Sequence, residues 1–317
     1  MKSFQVIRTH VSPYQSQDFL AREESMVQAL PNLNYQALGS IKDQNTILIT
    51  NTHTQLRDLP SALLKKTKLI IHPNSGYDHF TDEYDLWQNI PLVIGHSIRA
   101  QAVAEYSLAA VFEGLLELPQ HLTWNKERSW NRTLLKGTSV WIFGYGHIGK
   151  IIADTLSTLG MKVTVVDPYK EGCLSSWKEG RINEARVIIA AMSLNHLTRH
   201  IFNQEFFSAL SDKVLFINGA RGKLVDEEAL KAYLLSHSNS FAFLDVFEKE
   251  PFGEEWHGFP QVWKTSHIAG VEKNLDQKIL DFEEMVLKDY LHLAEASFFK
   301  KYDKELLQNK WIKGVLI

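Results

Sequence analysis

The sequence predicts an α/β protein with two doubly wound parallel-sheet domains. Short runs rich in Val, Ile and Phe recur along the whole chain, and stretches with apolar residues at helical spacing lie between them. Alternating strands and helices are typical of parallel sheets, and runs that are apolar at nearly every position indicate strands covered on both faces. The length of 317 residues corresponds to about two ordinary domains.

A long predicted helix, Arg99–Leu118, separates the strands into two sets. Its apolar residues recur at helical spacing, and we place it at the domain junction. The first set of predicted strands is Phe4–Arg8, Tyr35–Leu38, Thr46–Thr50, Lys68–His72 and Leu92–Gly95, and the second set is VWIFG from Val140, KVTVVD, RVIIAAM, KVLFING, FAFLDVF and VWKTS.

A second long helix, Leu275–Leu293, follows the last predicted strand. We expect this helix to return the chain to the first domain, which makes that domain discontinuous. The first domain is then predicted to comprise residues 1–97 and 286–317, and the second domain residues 98–285.

The composition is that of a globular protein: hydrophobic residues make up 44%, charged residues 22%, and the net charge is -3. This balance argues against nucleic acid or an anionic membrane as the main partner. Cys173 is the only cysteine, so an intramolecular disulfide and a Cys-based metal cage are both excluded, and no metal site is predicted. The N-terminal stretch lacks the apolar core of a signal peptide, and we expect a cytoplasmic protein.

The segment VWIFGYGHIGKIIADTL carries glycines in G-x-G-x-x-G spacing directly after a strand and at the start of a helix. Gly144 permits a tight turn, Gly146 lets a pyrophosphate approach the backbone, and Gly149 lets the helix pack on the strand. His147 and Ile148 belong to the same predicted phosphate loop, and the His147 side chain is expected to face solvent. The N-terminus of the helix offers free N–H groups to the phosphates.

The next predicted strand, KVTVVD, ends at Asp167, which is 18 residues after Gly149. A carboxylate at this place accepts hydrogen bonds from the ribose hydroxyls and repels a 2′-phosphate. A glycine-rich turn alone is a weak signal, but strand, glycines, helix and acid in this order predict a Rossmann domain that binds NAD in preference to NADP.

Three charged or titratable residues follow three successive strands of the second set. Arg221 comes after KVLFINGA, Glu250 just past FAFLDVF, and His267 after VWKTS. Ligands of open parallel sheets collect at the carboxyl ends of the strands, so these side chains are candidates for one site. Taken singly, Arg221 is also explained as a surface residue, Glu250 as a solvated loop acid, and His267 as a polar group at a strand end.

Together the three residues fit the reduction of a 2-keto acid. A guanidinium fork binds the carboxylate and the carbonyl oxygen. A histidine gives a proton to the new hydroxyl, and a neighbouring carboxylate favours its protonated form and holds one tautomer. The nicotinamide would supply the hydride.

The segments INGARGKLVDEEAL, LDVFEKEP, SHIAG, NSGYDHF and AVAEYSLA resemble signature segments of the D-isomer-specific 2-hydroxyacid dehydrogenases. The resemblance covers nearly the whole chain. It implies a Rossmann NAD-binding domain, a smaller flavodoxin-like substrate domain, an active site in the cleft between them, and a homodimer.

Residue by residue, the resemblance assigns substrate anchoring to Arg221, acid/base chemistry to His267, and the role of histidine partner to Glu250. Asp245 matches the acid near the nicotinamide amide of the cofactor.

The resemblance also gives the backbone of Ser75 and Gly76 the task of receiving the substrate carboxylate. Asp226 is similar to the family too, but we assign it a structural role as a helix cap, with Glu227 and Glu228 in the first turn.

The chain departs from the family pattern at two places. Met192 and Ser193 stand where a proline is frequent, and Ile98 and Arg99 stand before the AVAEYSLA segment. Arg99 either adds a cation to the cleft or lies on the surface, and we expect a surface residue.

The sequence leaves the substrate open between small acids of the glyoxylate or hydroxypyruvate type and phosphorylated acids such as phosphoglycerate. The alternative to an enzyme is a protein that senses NAD(H) and regulates a partner.

Overall fold

The structure, a computed structural model, describes residues 3–39, 42–116, 122–127 and 132–317. Its internal contacts divide the chain into two units. The first unit is Met1–Arg99 together with Val271–Ile317, and the second unit is Ala100–Gly270.

Strands and helices alternate along both units. The helices are α1 Phe19–Gln28, α2 Ser61–Lys66, α3 Tyr84–Trp87, α4 Ala100–Leu116, α5 His147–Thr158, α6 Gln204–Ser208, α7 Glu227–Ser236, α8 Leu275–His292 and α9 Glu295–Lys301. The strands are β1 Phe4–Arg8, β2 Leu33–Gln36, β3 Thr46–Ile49, β4 Thr67–His72, β5 Leu92–Ile94, β6 Ser139–Phe143, β7 Lys162–Val166, β8 Val187–Ala190, β9 Leu215–Asn218, β10 Phe241–Leu244, β11 Val262–Lys264, β12 Trp311–Ile312 and β13 Val315–Leu316.

The sheet of the first unit has the order β2-β1-β3-β4-β5, and all its pairs are parallel. This is the flavodoxin-like doubly wound order. Every residue of β1 and β3 is buried, as the continuous apolar runs predict. The second strand begins two residues earlier than predicted, because Leu33 pairs with Phe4 at the start of β1.

The chain returns to the first unit at Val271, before residue 286 where the sequence places the boundary. The cause is the packing of α8, whose Leu275, Ile279 and Leu280 form a buried cluster with Phe19 of α1. The apolar face of the first half of α8 therefore belongs to the core of the first unit.

A buried ion cluster also attaches α8 to the first sheet. Arg8 at the end of β1 donates hydrogen bonds to Glu23 of α1 at 2.8 Å and to Glu283 of α8 at 2.5 Å. Burial raises the pKa of the Glu283 carboxyl well above its usual value, since the opposing charge of Arg8 is shared with Glu23. One cation thus serves two buried carboxyl groups from two helices.

The sheet of the second unit has the order β11-β10-β9-β8-β6-β7 and is also entirely parallel. A single parallel bridge between Val166 and Leu174 adds one position beyond β7. With this bridge as a minimal strand, the order is that of a doubly wound dinucleotide-binding sheet, in which the direction of winding changes between β6 and β8. The predicted class, two parallel-sheet α/β domains, is confirmed.

Helix α4 starts the second unit and passes close to the middle of its sheet. A Cβ atom at Gly114 would lie 2.6 Å from Cδ2 of Leu215 on β9, so glycine permits this approach. The sequence predicts this helix to start at Arg99, whereas α4 begins at Ala100; Glu117 and Leu118, the last two residues of the prediction, lie outside the described residues. Within the described ranges, no helix has the length and apolar character needed to span a membrane.

Helix α7 begins with the cap that the sequence predicts. The Asp226 carboxylate accepts a hydrogen bond from the Ala229 N–H at 3.1 Å, and Glu227 and Glu228 occupy the first turn. The predicted structural role of Asp226 is confirmed.

Replacing Asp226 by Ala should destabilise the second unit by about 1 kcal/mol, because a backbone donor at the helix end loses its acceptor. Urea denaturation followed by circular dichroism measures the loss. Asp226→Asn is the matched control, since an amide oxygen still caps. Equal stability of the Ala and Asn variants would contradict the capping role.

Candidate active site

The glycine loop after β6 has the geometry that a dinucleotide requires. Gly144 has a φ of +101°, and a Cβ atom there would lie 2.6 Å from the carbonyl oxygen of Ala191. A Cβ atom at Gly149 would lie 1.9 Å from the carbonyl oxygen of Gly144, so only glycine lets α5 pack against the strand end. Over Gly146, by contrast, a Cβ atom would meet no protein atom within 4 Å, which leaves the backbone open to a phosphate.

Asp167 at the end of β7 is held against this loop. One carboxylate oxygen accepts the Tyr145 N–H at 2.8 Å, and the other accepts the Tyr169 N–H at 2.9 Å. Each oxygen retains a lone pair for a ribose hydroxyl. His147 is exposed, as expected. The open glycine loop and the fixed acid therefore fit NAD.

Arg221, Glu250 and His267 follow β9, β10 and β11, which are neighbours in the sheet. Nδ1 of His267 lies 2.8 Å from Oε2 of Glu250 in a hydrogen bond. The His267 side chain is 54% exposed, so its Nε2 edge is accessible to a ligand. The structure thus brings together the histidine and the carboxylate that the sequence singles out.

Glu250 is placed to remain ionised. Its partial burial raises the pKa, but the hydrogen bonds from His267 and from the Phe247 N–H, together with the charges of His267 and Arg221, outweigh this effect. The pKa of the Glu250 carboxyl consequently lies below its usual value. The influence of Arg221 on this carboxyl places the three side chains in one electrostatic environment.

The turn that carries Arg221 depends on its two neighbours. The buried Asn218 side chain donates to the Arg221 carbonyl at 2.9 Å, and Nη1 of Arg221 donates to the Ala220 carbonyl at 2.7 Å. A Cβ atom at Gly222 would lie 1.9 Å from the backbone of Phe247, so glycine lets this turn touch the segment that leads to Glu250. The arginine and glutamate segments are therefore packed directly against each other.

His267 is held in a left-handed conformation, with a φ of +56°. Its N–H donates to the Asp245 carbonyl at 2.9 Å, and the Asp245 carboxylate accepts the N–H groups of Ile268 and Ala269, both at 2.8 Å. The same carboxylate accepts the Thr265 hydroxyl at 2.6 Å. Buried Asp245, which the resemblance assigns to the nicotinamide, is thus also the anchor of the histidine loop.

Thr265 is a member of the site that sequence reasoning missed. Its hydroxyl lies 2.9 Å from the Tyr106 hydroxyl of α4, so a helix far away in the sequence supports the histidine loop through it. The only signal in the sequence is the position of Thr265 two residues before His267.

In the first unit, Ser75 and Gly76 lie in the loop after β4. The Gly76 carbonyl accepts a hydrogen bond from Nε2 of buried His72 at 2.8 Å, and Ser75 donates its hydroxyl to the His96 carbonyl at 3.3 Å. Within the described chain, the backbone N–H groups of Ser75 and Gly76 donate to no acceptor. The loop therefore presents two backbone donors, which suits the receipt of a carboxylate.

The expectation that Arg99 lies on the surface is wrong. Arg99 is 8% exposed, and its guanidinium donates to the Pro73 carbonyl at 2.8 Å and to the Tyr14 hydroxyl at 2.9 Å. The turn between β5 and α4 directs the Arg99 side chain toward the loop after β4. The residues next to Arg99 in the sequence do not indicate this direction.

Comparison with known proteins identifies the family. The model of the D-isomer specific 2-hydroxyacid dehydrogenase NAD binding domain matches residues 108–269 of 317, which is just over half of the chain.

Two curated relatives are similar over most of their length. Hydroxypyruvate reductase of Thermotoga maritima is 24% identical over 299 residues, which cover 89% of this chain and 98% of that protein. The 4-methyl-2-oxopentanoate reductase A of Aspergillus oryzae is 29% identical over 280 residues, covering 81% and 82%.

Among solved structures, D-lactate dehydrogenase from Aquifex aeolicus, complexed with NAD and lactic acid, has the same fold. It superposes with a TM-score of 0.72 at 21% identity, over 96% of this chain and 99% of that one. The resemblance seen in the sequence is confirmed: the chain belongs to the D-isomer specific 2-hydroxyacid dehydrogenase family, NAD-dependent oxidoreductases that act on CH–OH groups.

Proposed function

We propose that this chain reduces a small 2-keto acid with NADH through Arg221, Glu250 and His267. The observation that carries the proposal is the 2.8 Å hydrogen bond between His267 and Glu250, with the histidine side chain accessible and the turn of Arg221 packed against the segment that leads to Glu250. His267 would be the proton donor, Glu250 the partner that orients it, and Arg221 the cation that binds the substrate.

Each residue has a separate task. Arg221 binds the substrate carboxylate and polarises the carbonyl oxygen. Glu250 holds Nδ1 of His267 in its protonated form, so that Nε2 faces the substrate and delivers the proton to the carbonyl oxygen as it becomes a hydroxyl. NADH, when bound, supplies the hydride. In the oxidation of a hydroxy acid, His267 accepts the proton instead.

The two units have different tasks in this proposal. The second unit is the NAD-binding domain, and the first is the substrate domain, in which Ser75 and Gly76 receive the carboxylate with their N–H groups. The named relatives reduce hydroxypyruvate and 4-methyl-2-oxopentanoate, which supports a small 2-keto acid here. Since NADH and such acids are cytoplasmic metabolites, the proposal places the protein in the cytoplasm.

The direct test is the loss of NADH absorbance with a panel of 2-keto acids: glyoxylate, pyruvate, hydroxypyruvate and 3-phosphohydroxypyruvate. Saturable turnover of one of them supports the proposal. If calorimetry detects NADH binding but no acid in the panel is reduced, the result favours either a substrate outside the panel or the alternative function, an NAD(H)-sensing regulator.

Replacing Asp167 by Ala should weaken NADH binding and reduce the preference for NADH over NADPH by roughly tenfold or more, because the carboxylate no longer repels a 2′-phosphate. The ratio of kcat/KM for the two cofactors measures the change. Asp154→Ala, an exposed acid on α5, is the control. An unchanged ratio in Asp167→Ala would contradict the role of this carboxylate in selecting NADH over NADPH.

We also propose a homodimer formed through the second unit. Leu122 and Trp124 are each 82% exposed and Leu134 is 66% exposed, so three large apolar side chains that precede β6 in the sequence face solvent. A second copy of the chain is the partner that the family resemblance implies.

The double variant Leu122→Ser, Trp124→Ser should shift the dimer toward monomer, since these side chains lose the apolar surface that association would bury. Light scattering after size exclusion measures the mass. Leu235→Ser is the control, because Leu235 is an exposed leucine on α7 of the same unit. A wild-type protein that is monomeric at high concentration would contradict the dimer.

A further inference from the structure

Two neighbouring segments of the second unit carry Arg221 and Glu250. They are the arginine turn, residues 221–224, and the glutamate segment, residues 247–250. The two segments touch at Gly222, where glycine permits the close approach described above, and this contact sets the distance between them. His200, in the loop between β8 and α6, contacts both.

His200 joins the two segments through its backbone and its side chain. Its φ of +50° lies in the left-handed region that most side chains avoid. The N–H of His200 donates to the Lys223 carbonyl at 2.9 Å, two residues after Arg221. Nε2 of the same residue lies 2.5 Å from Oε1 of Glu248, two residues before Glu250. One residue thus links the arginine turn to the glutamate segment.

A short ladder of backbone hydrogen bonds fixes the segment of His200 to the arginine turn. The Phe202 N–H donates to the Leu224 carbonyl at 3.1 Å, and the Phe202 carbonyl accepts the Asp226 N–H at 3.0 Å. The Phe202 side chain is fully buried in the core of the second unit. The backbone of His200 is therefore held by the core and by the arginine turn together.

The His200 side chain is an electrostatic partner of Glu248. Its Nε2 atom is enclosed by protein, and it forms no aligned hydrogen bond within the part of the chain that the structure describes. Since Nε2 and Oε1 both carry lone pairs, their 2.5 Å contact is attractive only with a proton on Nε2. The two side chains are 36% and 34% exposed, so solvent screens this attraction less than that of a fully exposed pair.

A second carboxyl group lies close to Glu248. Oε1 of Glu227, in the first turn of α7, accepts the Glu248 backbone N–H at 2.7 Å. Burial raises the pKa of the half-buried Glu227 carboxyl, the hydrogen bond from Glu248 lowers it, and the charge of Glu248 raises it further. A proton on Nε2 of His200 offsets this crowding of carboxyl groups. His200 and Glu227 together therefore hold Glu248 by its side chain and its backbone.

The position of Glu248 determines the position of the proposed acid/base pair. Oε1 of Glu250 accepts the Phe247 N–H at 3.1 Å, and its Oε2 atom accepts the hydrogen bond from Nδ1 of His267 at 2.8 Å. Because Phe247 and Glu248 are adjacent, a shift of Glu248 moves the N–H group that holds Glu250, and the histidine ring moves with that carboxylate. A misplacement of about 1 Å in an active site lowers a rate by about 10²-fold.

We propose that His200 is a positioning residue of the reaction: through Glu248 it fixes the segment from which Glu250 orients His267. The inference rests on the proposed function, which gives His267 the acid/base role. In this role His200 affects the rate of proton transfer, and it contributes neither to the binding of NADH nor to that of the keto acid. Loss of its side chain should therefore lower kcat and leave KM nearly unchanged.

The test is His200→Asn, because asparagine tolerates the left-handed backbone but is too short to reach Glu248. Its kcat should fall by about 10- to 10²-fold, while NADH binding and the melting temperature stay nearly unchanged. His200→Gln, whose longer amide group can donate to Glu248, should recover part of the loss. Glu248→Ala should also lower kcat, and the double variant His200→Asn, Glu248→Ala should lose no more than the weaker single variant.

The control is His196→Asn, which changes an exposed histidine of the same loop and should keep the wild-type rate. If His200→Asn does not fold, Glu248→Ala with Glu248→Gln as its conservative partner gives the same comparison. A wild-type kcat in His200→Asn, an equal loss in His200→Gln, or losses that add in the double variant overturn the inference.

Hydrogen exchange followed by mass spectrometry separates this inference from the proposed function. A peptide that covers residues 246–252 should exchange faster in His200→Asn than in the wild type, while a peptide from α5 should exchange at the same rate in both. If the wild type reduces no 2-keto acid but the exchange differs in this way, the proposed function fails, and the positioning of the glutamate segment by His200 is supported. Unchanged exchange in this peptide overturns the inference.

Discussion

Replacing His267 by Gln should lower kcat for keto-acid reduction by about 10²–10⁴-fold, with little change in NADH binding. Glutamine retains a polar side chain of similar reach, but it cannot deliver a proton to the carbonyl oxygen. The hydrogen bond of His267 to Glu250 at 2.8 Å orients the ring for proton transfer. The loss of proton transfer should therefore lower kcat and leave KM nearly unchanged. Steady-state kinetics with the best acid of the panel, combined with NADH titration, measures both quantities.

The matched control for this variant is His257→Gln, which changes an exposed histidine of the same unit. Its kcat should equal that of the wild type. Full activity of His267→Gln at neutral pH would require another proton donor.

The parts of the structure that the sequence predicts are those set by neighbouring residues. The strands of both sheets, the glycine loop and the Asp226 cap each follow from residues within one short segment. The ends of β9, β10 and β11 also place Arg221, Glu250 and His267 at one edge, because parallel strands present their carboxyl ends together.

The parts that the sequence does not predict depend on contacts between distant segments. Thr265 meets Tyr106 across 159 positions, and Arg8 meets Glu283 across 275. Arg99 is the clearest case: a charged residue before a helix has the local character of a surface residue, and only the fold shows that it is buried. Periodicity records which face of an element is apolar, but it does not record which distant polar group a side chain will reach.

Replacing Arg221 by Gln should lower kcat/KM for any 2-keto acid by about 10²–10⁴-fold, because a charge-assisted hydrogen bond to the carboxylate and the charge near the carbonyl oxygen are both lost. The effect should be the same for every acid of the panel, since each carries the carboxylate that we propose Arg221 binds.

The control for Arg221 is Arg181→Gln, which removes an arginine that is 83% exposed in an ion pair with Glu184. Surface ion pairs of this kind contribute little, so kinetics and stability should stay unchanged. Arg221→Lys should recover only part of the lost rate, because an ammonium group cannot make the paired hydrogen bonds of a guanidinium fork. If Arg221→Gln retained its kcat/KM, the role of substrate anchor proposed for Arg221 would be contradicted.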